Sequence, residues 1–377
     1  MEYILKQFDE NLMRFEAEEH SNNADYKITW INESKRHLLP LDMEQSEKGL
    51  DYWIKHRTIP KNRAFVHDLL SSCGLSINRP MHIISVCKGL SLNDCYWVTT
   101  EESQDTFASV NLYDNRLSKI LAAIVFTGYG SSIRTSLISS PEFTTNGMLP
   151  KCWRRIDGKI HLYKGGTVGA SNAGYEPYSE YYAAQIAECM EMNAVKYNLS
   201  KWKNVLCSTC ELFTSKEYAY IPIGRIVQRG GIEAVVEYSR QLGEEYLSAL
   251  YDMFIFDAVI CNTDRHFGNF GLLIDNKTNK PVSPAPLFDH GNSLFNFAGK
   301  RAMENNNTMD EYVSILKPCV YDEFVDKAKE HMTAEHREKL RHLLSFRFKK
   351  HPRYNLEEKR LKLIEHQIHK RAAILLS

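Results

Sequence analysis

The chain has 377 residues, of which 43 % are hydrophobic and 25 % are charged, so it falls in the globular range with enough length for two or three subdomains. Lysine plus arginine and aspartate plus glutamate are equal at 47 each, so no global charge indicates nucleic acid or an acidic membrane as the main partner. The N-terminal segment MEYILKQFDENLMRFEAEE lacks a signal-peptide pattern, and the longest apolar run, ILAAIVF at 120–126, is too short to span a bilayer. We therefore expect a soluble cytoplasmic protein with no membrane partner.

The nine cysteines are scattered along the chain, which favours reduced thiols over a disulfide framework. Cys207 and Cys210 form a C-x-x-C pair, but no second pair or spaced histidine cluster accompanies them. We interpret them as structural thiols rather than a zinc or redox site.

Changes in residue pattern divide the chain into three predicted domains. Residues 1–130 form an N-terminal subdomain with apparent helices such as KNRAFVHDLLSSCGL at 61–75. Residues 131–236 form a sheet-containing domain, and residues 237–377 form a mostly helical one. This order predicts an α+β fold.

Within the second and third domains the pattern predicts specific elements. Short strand-like segments are KIHLYKG (159–165), VLCSTCELFT (205–214) and YAYIPI (218–223). The segment SEYYAAQIAECMEMNAVKYN (179–198) is predicted to form a helix with Ser179 as its N-cap. A second long helix is predicted over EEYLSALYDMFIFDAVI (244–260).

The segment CNTDRHFGNFGLL (261–273) directly follows that second helix and carries the strongest functional pattern. A predicted hairpin from 271 ends in PLFDHG at Asp289, which gives the order helix, loop, hairpin, aspartate. Asp264, Asn269 and Asp289 then have the spacing of a phosphoryl-transfer site, with a base in a loop, an amide five residues on and a carboxylate after a hairpin. Each residue alone is as typical of a capped turn, but the ordered set favours function.

The residue types fit the chemistry of a nucleoside triphosphate. Mg²⁺ prefers hard oxygen ligands, which Asp289 and Asn269 supply together with phosphates and water. An attacking hydroxyl needs a proton acceptor, and Asp264 is the candidate general base. Arg265 and His266 are interpreted as bracing the loop rather than as catalytic.

A kinase also needs a cation for the phosphates, and Lys164 lies on a predicted strand that precedes a helix. Glu180 in that helix is the predicted partner of Lys164, with Glu176 and Glu188 as competitors. Before the strand, SSPEFTTNGMLPKCWRR (139–155), which contains Gly147, is predicted to form a loop whose backbone amides cover the phosphates. It is not a Walker loop.

These motifs resemble the HipA-like serine/threonine kinases, the toxin half of bacterial toxin–antitoxin pairs. The resemblance covers most of the chain, and its matching segments are LPL (39–41), GLDYWIKHRTIPKNR (49–63), TTNGMLPKCW (144–153), LYKGG (162–166), SEYYAAQIAE (179–188), NTDRHFGN (262–269) and PLFDHGNSL (286–294). The last two are the most specific, and they are also similar to motifs of the phosphatidylinositol kinases. The resemblance implies a bilobal protein-kinase-like fold, with a mixed-sheet N-lobe, a mostly helical C-lobe, an additional N-terminal subdomain and ATP bound between the lobes.

Position by position, the resemblance implies Asp264 as catalytic base, Asn269 and Asp289 as Mg²⁺ ligands, and Lys164 as the lysine that binds the ATP phosphates. It further implies that the loop before Gly147 autophosphorylates and swings out. Thr144 occupies the position of the usual serine, and Asn146 stands where a second hydroxyl is expected, so Ser139, Ser140 and Thr145 are further candidate acceptors.

The implied partners are a protein substrate and a small helix-turn-helix antitoxin that binds DNA, so any DNA contact is indirect. The basic stretch 346–371 is interpreted as a solvated helix face. Two other functions stay open: a kinase of a small molecule or lipid headgroup, and a kinase-like binding module without catalysis.

Overall fold

The computed structural model describes residues 1–20, 23–130, 139–169 and 172–377. The start of the predicted second domain, at 131–138, lies outside the described residues. The strands are β1 (Glu2–Gln7), β2 (Glu10–Glu19), β3 (Ala24–Ile31), β4 (Tyr96–Thr99), β5 (Lys151–Ile156), β6 (Lys159–Gly165), β7 (Tyr197–Trp202), β8 (Val205–Glu211), β9 (Tyr218–Pro222), β10 (Gly271–Asp275) and β11 (Lys280–Pro284).

The α-helices follow the same chain order. They are α1 (Glu47–Lys55), α2 (Val66–Ser72), α3 (Pro80–Cys87), α4 (Phe107–Val110), α5 (Lys119–Thr127), α6 (Glu176–Cys189), α7 (Ile223–Ile226), α8 (Gly231–Leu242), α9 (Glu244–Ile260), α10 (Asn306–Ser314), α11 (Phe324–Glu330), α12 (Ala334–His342) and α13 (Glu358–Leu376). Short 3₁₀ helices lie at Glu33–Leu38, Pro141–Phe143 and Leu343–Ser345. The mixture of helices and antiparallel sheets confirms the predicted α+β class.

The chain folds into two compact units. Unit 1 comprises Met1–Lys164, Glu211–Ile221 and Leu273–Val282, and unit 2 comprises Gly165–Cys210, Pro222–Leu272 and Ser283–Ser377. The domain boundaries drawn from sequence at 130 and 236 stay predictions.

Unit 1 begins with a sheet that the sequence analysis did not foresee. Its strand order is β3-β2-β1-β4, with antiparallel pairing of β1 to both β2 and β4. Buried side chains such as Leu5, Met13 and Phe15 form the apolar side of this sheet. A second cluster packs Trp97, Phe107 and neighbouring apolar residues together.

Unit 2 is organised around α9, whose last eight residues, Met253–Ile260, are all buried. Helices α8, α11 and α13 pack against it. The bounds of α9 match the prediction of a helix over 244–260. The same hydrophobic core includes Ala183, Ile186 and Ala187 of α6.

Two predicted helices are shorter than their patterns indicated. The prediction over 61–75 was wrong at its start, because Phe65 adopts a left-handed backbone conformation (φ 57°) and α2 begins after it. The prediction over 179–198 was wrong at both ends: α6 starts at Glu176, so Ser179 is not its cap, and it ends at Cys189. Glu191 has φ 53°, which stops a helix.

The predicted loop 139–155 was wrong at its end, because residues from Lys151 onward form β5, which pairs with β6.

The basic C-terminal stretch contains α13, which exposes Lys359, Lys362 and Lys370 as the interpretation of a solvated helix face expects. The same helix buries Leu361, Ile364, Ile368 and Leu375 in the core of unit 2. Its apolar positions recur at helical spacing among the charges.

Candidate active site

The catalytic-loop candidate starts where α9 ends. Cys261 takes a left-handed conformation (φ 49°) and its N–H bonds back to the Asp257 carbonyl, which stops the helix. The next residue, Asn262, is buried, and its side-chain oxygen accepts a hydrogen bond from the Asp264 N–H at 3.1 Å. The helix end thus presents Asp264 on a turn fixed by buried groups.

Arg265 links the two sequence motifs inside unit 2. Its side chain is fully buried and forms an ion pair with the equally buried Asp257, with Nε 2.9 Å from Oδ2. The guanidinium also donates to the Asn269 carbonyl at 3.1 Å, to the Phe288 carbonyl, and to Nδ1 of His290 at 3.0 Å. One buried cation therefore holds the loop of Asp264 and Asn269 against the loop of Asp289.

The charge of this cation is maintained by its partner. Burial acts to lower the pKa of the Arg265 guanidinium, but the charge and hydrogen bonds of Asp257 outweigh it, and the pKa is raised. Since a guanidinium only donates, Nδ1 of His290 is the acceptor in their contact. These contacts support the interpretation of Arg265 as bracing the loop.

Asp264 is held by a residue that the sequence analysis did not single out. Asn292 donates from Nδ2 to Oδ2 of Asp264 at 2.9 Å, while its carbonyl accepts from the N–H of Thr263 at 3.1 Å. Asn296 donates in turn to the amide oxygen of Asn292 at 3.3 Å. Asn292 therefore orients one carboxylate oxygen of Asp264, and Asn296 and Thr263 hold Asn292 in place.

Asn269 is buried, and its amide orientation is defined by one contact. Its Nδ2 donates to the Asp264 carbonyl at 3.0 Å, which turns the amide oxygen away from that carbonyl. An oxygen oriented in this way is available to a hard cation.

Asp289 has a backbone conformation uncommon for a non-glycine residue, with φ 57°. The hydroxyl of Tyr197 accepts its N–H at 3.1 Å, and Oε2 of Glu180 accepts the next N–H, that of His290, at 2.9 Å. Strained backbone held by surrounding groups is concentrated at functional sites. Burial and the nearby charges of Glu180 and Asp289 raise the pKa of Tyr197, so its phenol stays protonated.

The structure separates the three glutamates considered as partners of Lys164. Glu180 is fully buried and binds the His290 amide, Glu176 is buried and accepts from the N–H of Thr167 at 3.2 Å, and Glu188 is exposed. Glu180 thus contacts the loop of Asp289, and its pairing with Lys164 stays a prediction. Lys164 is only 7 % exposed at the end of β6 in unit 1, which is unusual for lysine.

The loop around Gly147 is packed within unit 1. Gly147 has φ 92°, a backbone conformation that residues with a Cβ rarely adopt, so this turn favours glycine. Thr144 is 5 % exposed and donates its hydroxyl proton to the Leu90 carbonyl at 2.8 Å. Phosphorylation of Thr144 therefore requires this loop to leave the conformation described.

A buried ion pair holds the same loop. Arg63 lies 3.0 Å from Oε2 of Glu142 and donates to the carbonyls of Thr145 and Lys151, at 3.3 and 2.7 Å. Oε1 of Glu142 accepts the N–H of Trp153 at 2.9 Å. Neither Arg63 nor Glu142 was identified from sequence as functional, because the importance of each depends on contacts 79 residues apart.

The side-chain oxygens of Asp289 and Asn269 in unit 2 are of the type that binds the Mg²⁺ of a magnesium–nucleotide complex. Asp289 and Asn269 offer carboxylate and amide oxygens, and Mg²⁺ is typically held by one or two such groups plus substrate phosphates. Within the described residues, no cluster of three or more His, Cys, Asp or Glu side chains is arranged to hold a metal, Cys207 and Cys210 included. Among the same residues, no helix combines the length and apolarity needed to cross a bilayer.

Comparison with known proteins gives one match in sequence. No protein-family model matches this chain. Over 132 residues, 31 % of the chain, it is 25 % identical to the serine/threonine-protein kinase CtkA of Helicobacter pylori. The match spans 40 % of that relative's length.

Solved structures extend the comparison to nearly the whole chain. HipA of Shewanella oneidensis, solved as a toxin–antitoxin complex with HipB and operator DNA, has a TM-score of 0.57 at 11 % identity, covering 98 % of this chain and 96 % of that one. The crystal structure of the proinflammatory kinase CtkA of Helicobacter pylori has a TM-score of 0.49 at 16 % identity, covering 62 % of this chain and 92 % of that one. The predicted resemblance is thus confirmed: the chain has a HipA-like kinase fold, and part of its sequence is similar to a serine/threonine kinase.

Proposed function

We propose that this protein is an ATP- and Mg²⁺-dependent serine/threonine protein kinase of the HipA type. The observation that carries the proposal is the buried Arg265, which joins the loop of Asp264 and Asn269 to the loop of Asp289. The sequence similarity to a protein named as a serine/threonine kinase supports the same activity.

Each polar residue has a distinct role in this proposal. Asp264 accepts the proton of the attacking hydroxyl, and Asn292 holds its carboxylate in one orientation. Asn269 and Asp289 present oxygens to Mg²⁺, and the αL backbone of Asp289 is held by Tyr197 and Glu180. When bound, Mg-ATP supplies the phosphoryl group and the positive charge that neutralises its oxygens.

Lys164 and the loop of Gly147 keep, in this proposal, the roles that the sequence motifs assign to them. Lys164 binds ATP phosphates, and the loop at Gly147 covers them. Glu180 is the proposed ion-pair partner of Lys164, and Thr144 is the proposed autophosphorylation site. A lysine as buried as Lys164 requires a compensating anion, which phosphate oxygens or a carboxylate provide.

The proposed setting is the cytoplasm, with a protein substrate and a small helix-turn-helix antitoxin as partners. The support is the HipA structure, which contains HipB and operator DNA. DNA contact by this chain is proposed only through such a partner.

Transfer of phosphate from ATP to casein tests the proposed chemistry. Replacing Asp264 by alanine removes the base and lowers the rate by about 10²–10⁴-fold. Asp289→Ala removes a metal ligand and abolishes transfer. Asp322→Ala, at an exposed aspartate of unit 2, is the matched control and keeps full activity. Full activity of Asp289→Ala, with circular dichroism showing an intact fold, would overturn the assignment.

A further inference from the structure

Unit 1 contains a cavity that the proposed kinase chemistry does not use. Its volume is about 410 Å³, within the range of roughly 300–1,000 Å³ typical of small-molecule sites. It is formed by α3 with the adjoining Lys88, by the segment from Ser109 to Arg116, and by Ser139. The lining includes apolar Val86 and Leu112, and Leu112 belongs to a buried core cluster.

Basic side chains line this cavity. They are His82, Lys88 and Arg116, and within the described part of the lining no carboxylate is present. Nζ of Lys88 is 2.7 Å from Oδ2 of Asp105, a carboxylate that is not among the described lining residues. This ion pair balances the charge of Lys88 but leaves two of its three ammonium protons for a ligand. Arg116 is exposed, and no described carboxylate forms an ion pair with its guanidinium. The cavity therefore favours an anion.

The neutral polar groups of the lining have already donated their protons. The hydroxyls of Ser85, Ser109 and Ser139 donate to the carbonyls of His82, Thr106 and Cys87, at 2.8, 2.8 and 3.1 Å. The amide nitrogen of Asn115 donates to the carbonyls of Ala108 and Asn111, at 3.0 and 2.9 Å. What these side chains offer to a ligand is oxygen lone pairs, which accept hydrogen bonds from hydroxyl or amino groups. Ser109 offers one lone pair only, because its Oγ already accepts the N–H of Thr106 at 3.1 Å.

We propose that this cavity binds a hydroxyl-bearing organic phosphate of the size of a sugar phosphate or a nucleoside monophosphate. Arg116, Lys88 and His82 hold the phosphate, because guanidinium and ammonium groups form short charge-assisted hydrogen bonds to its oxygens. The serine oxygens and the Asn115 oxygen accept from the hydroxyl groups of the ligand, whose carbon skeleton contacts Val86 and Leu112. Inorganic phosphate shares the anionic part of this chemistry but leaves the acceptors and most of the volume unused.

Calorimetric titration of the full chain in EDTA tests the site without magnesium-dependent nucleotide binding. The probes are glucose 6-phosphate and AMP. The controls are glucose and adenosine, which lack the phosphate, and inorganic phosphate, which lacks the organic part. At least one organic phosphate is expected to bind saturably at one site and more tightly than any of the three partial probes. Arg116→Ala should weaken it by about tenfold or more, the value of a hydrogen bond to a charged group.

Two control variants locate the binding. Lys119→Ala removes an exposed cation that does not line the cavity, and Asp289→Ala alters the candidate active site in unit 2; both should bind as the wild type does. Hydrogen exchange of residues 82–88 should slow when the ligand is bound. The proposal is overturned if neither organic phosphate binds, if inorganic phosphate binds equally tightly, if Arg116→Ala has no effect, or if Asp289→Ala loses binding.

Discussion

At the scale of single residues, the Arg265–Asp257 pair has the largest predicted effect on stability. Both side chains are fully buried, so Arg265→Met leaves the Asp257 carboxylate buried without its cation. We expect the free energy of unfolding to fall by about 3–5 kcal/mol, measured by urea denaturation. Arg301→Met, at an exposed arginine, is the matched control and should change little. Equal stability of the two variants would contradict the bracing role.

Asn292 is predicted to act on the reaction rather than on the fold. Asn292→Ala removes the donor 2.9 Å from Oδ2 of Asp264, so the base loses its fixed orientation. We expect kcat to fall by up to about a hundredfold, as for a misplaced catalytic group, with KM for ATP nearly unchanged. Asn306→Ala, at an exposed asparagine, serves as control. A wild-type kcat in Asn292→Ala would remove this residue from the mechanism.

At the scale of elements, the loop at 139–147 is predicted to depend on the buried Arg63–Glu142 pair. Arg63→Ala removes donors to Glu142, Thr145 and Lys151, so the loop should open more often. Hydrogen exchange of residues 141–147 should accelerate, while exchange in β2 stays as in the wild type. Lys61→Ala, at an exposed neighbour in sequence, should leave both unchanged. Unaltered exchange in Arg63→Ala would show that other contacts hold the loop.

Sequence reasoning was most accurate where local pattern alone determines an element. The bounds of α9 and β6 match the prediction, and β10 begins at the predicted residue 271, because a helical apolar stripe or a short strand between turn residues is a local property. The sheet of β1–β4 was missed, since β4 pairs with β1 across some 90 residues and no local pattern specifies that partner. The ends of α2 and α6 were missed because left-handed residues such as Phe65 and Glu191 stop helices without glycine.

At the scale of the whole molecule, the HipA-like fold was predicted from short sequence motifs and not from the predicted helices and strands. The HipA-like resemblance rested mainly on NTDRHFGN and PLFDHGNSL, and the likeness to HipA extends over 98 % of the chain. The roles of Asp264, Asn269, Asp289 and Lys164 stay predictions. The supporting residues Asn292 and Tyr197 were not identified, because they act through contacts between segments 28 and 92 residues apart. Asp257 lies only eight residues before Arg265, and it was not identified because it falls within the buried, mostly apolar end of α9.

The central claim is that Asp264, Asn269 and Asp289 together perform phosphoryl transfer. The most direct test is to incubate the purified wild type, Asp264→Ala and Asp289→Ala with ATP and Mg²⁺ in the presence of casein, and to measure the intact mass and phosphosites of both proteins. We predict phosphate on the wild-type chain or on casein with the wild type alone, at serine or threonine. Phosphate in equal amount with Asp289→Ala, or none with the wild type on either protein, would contradict the account.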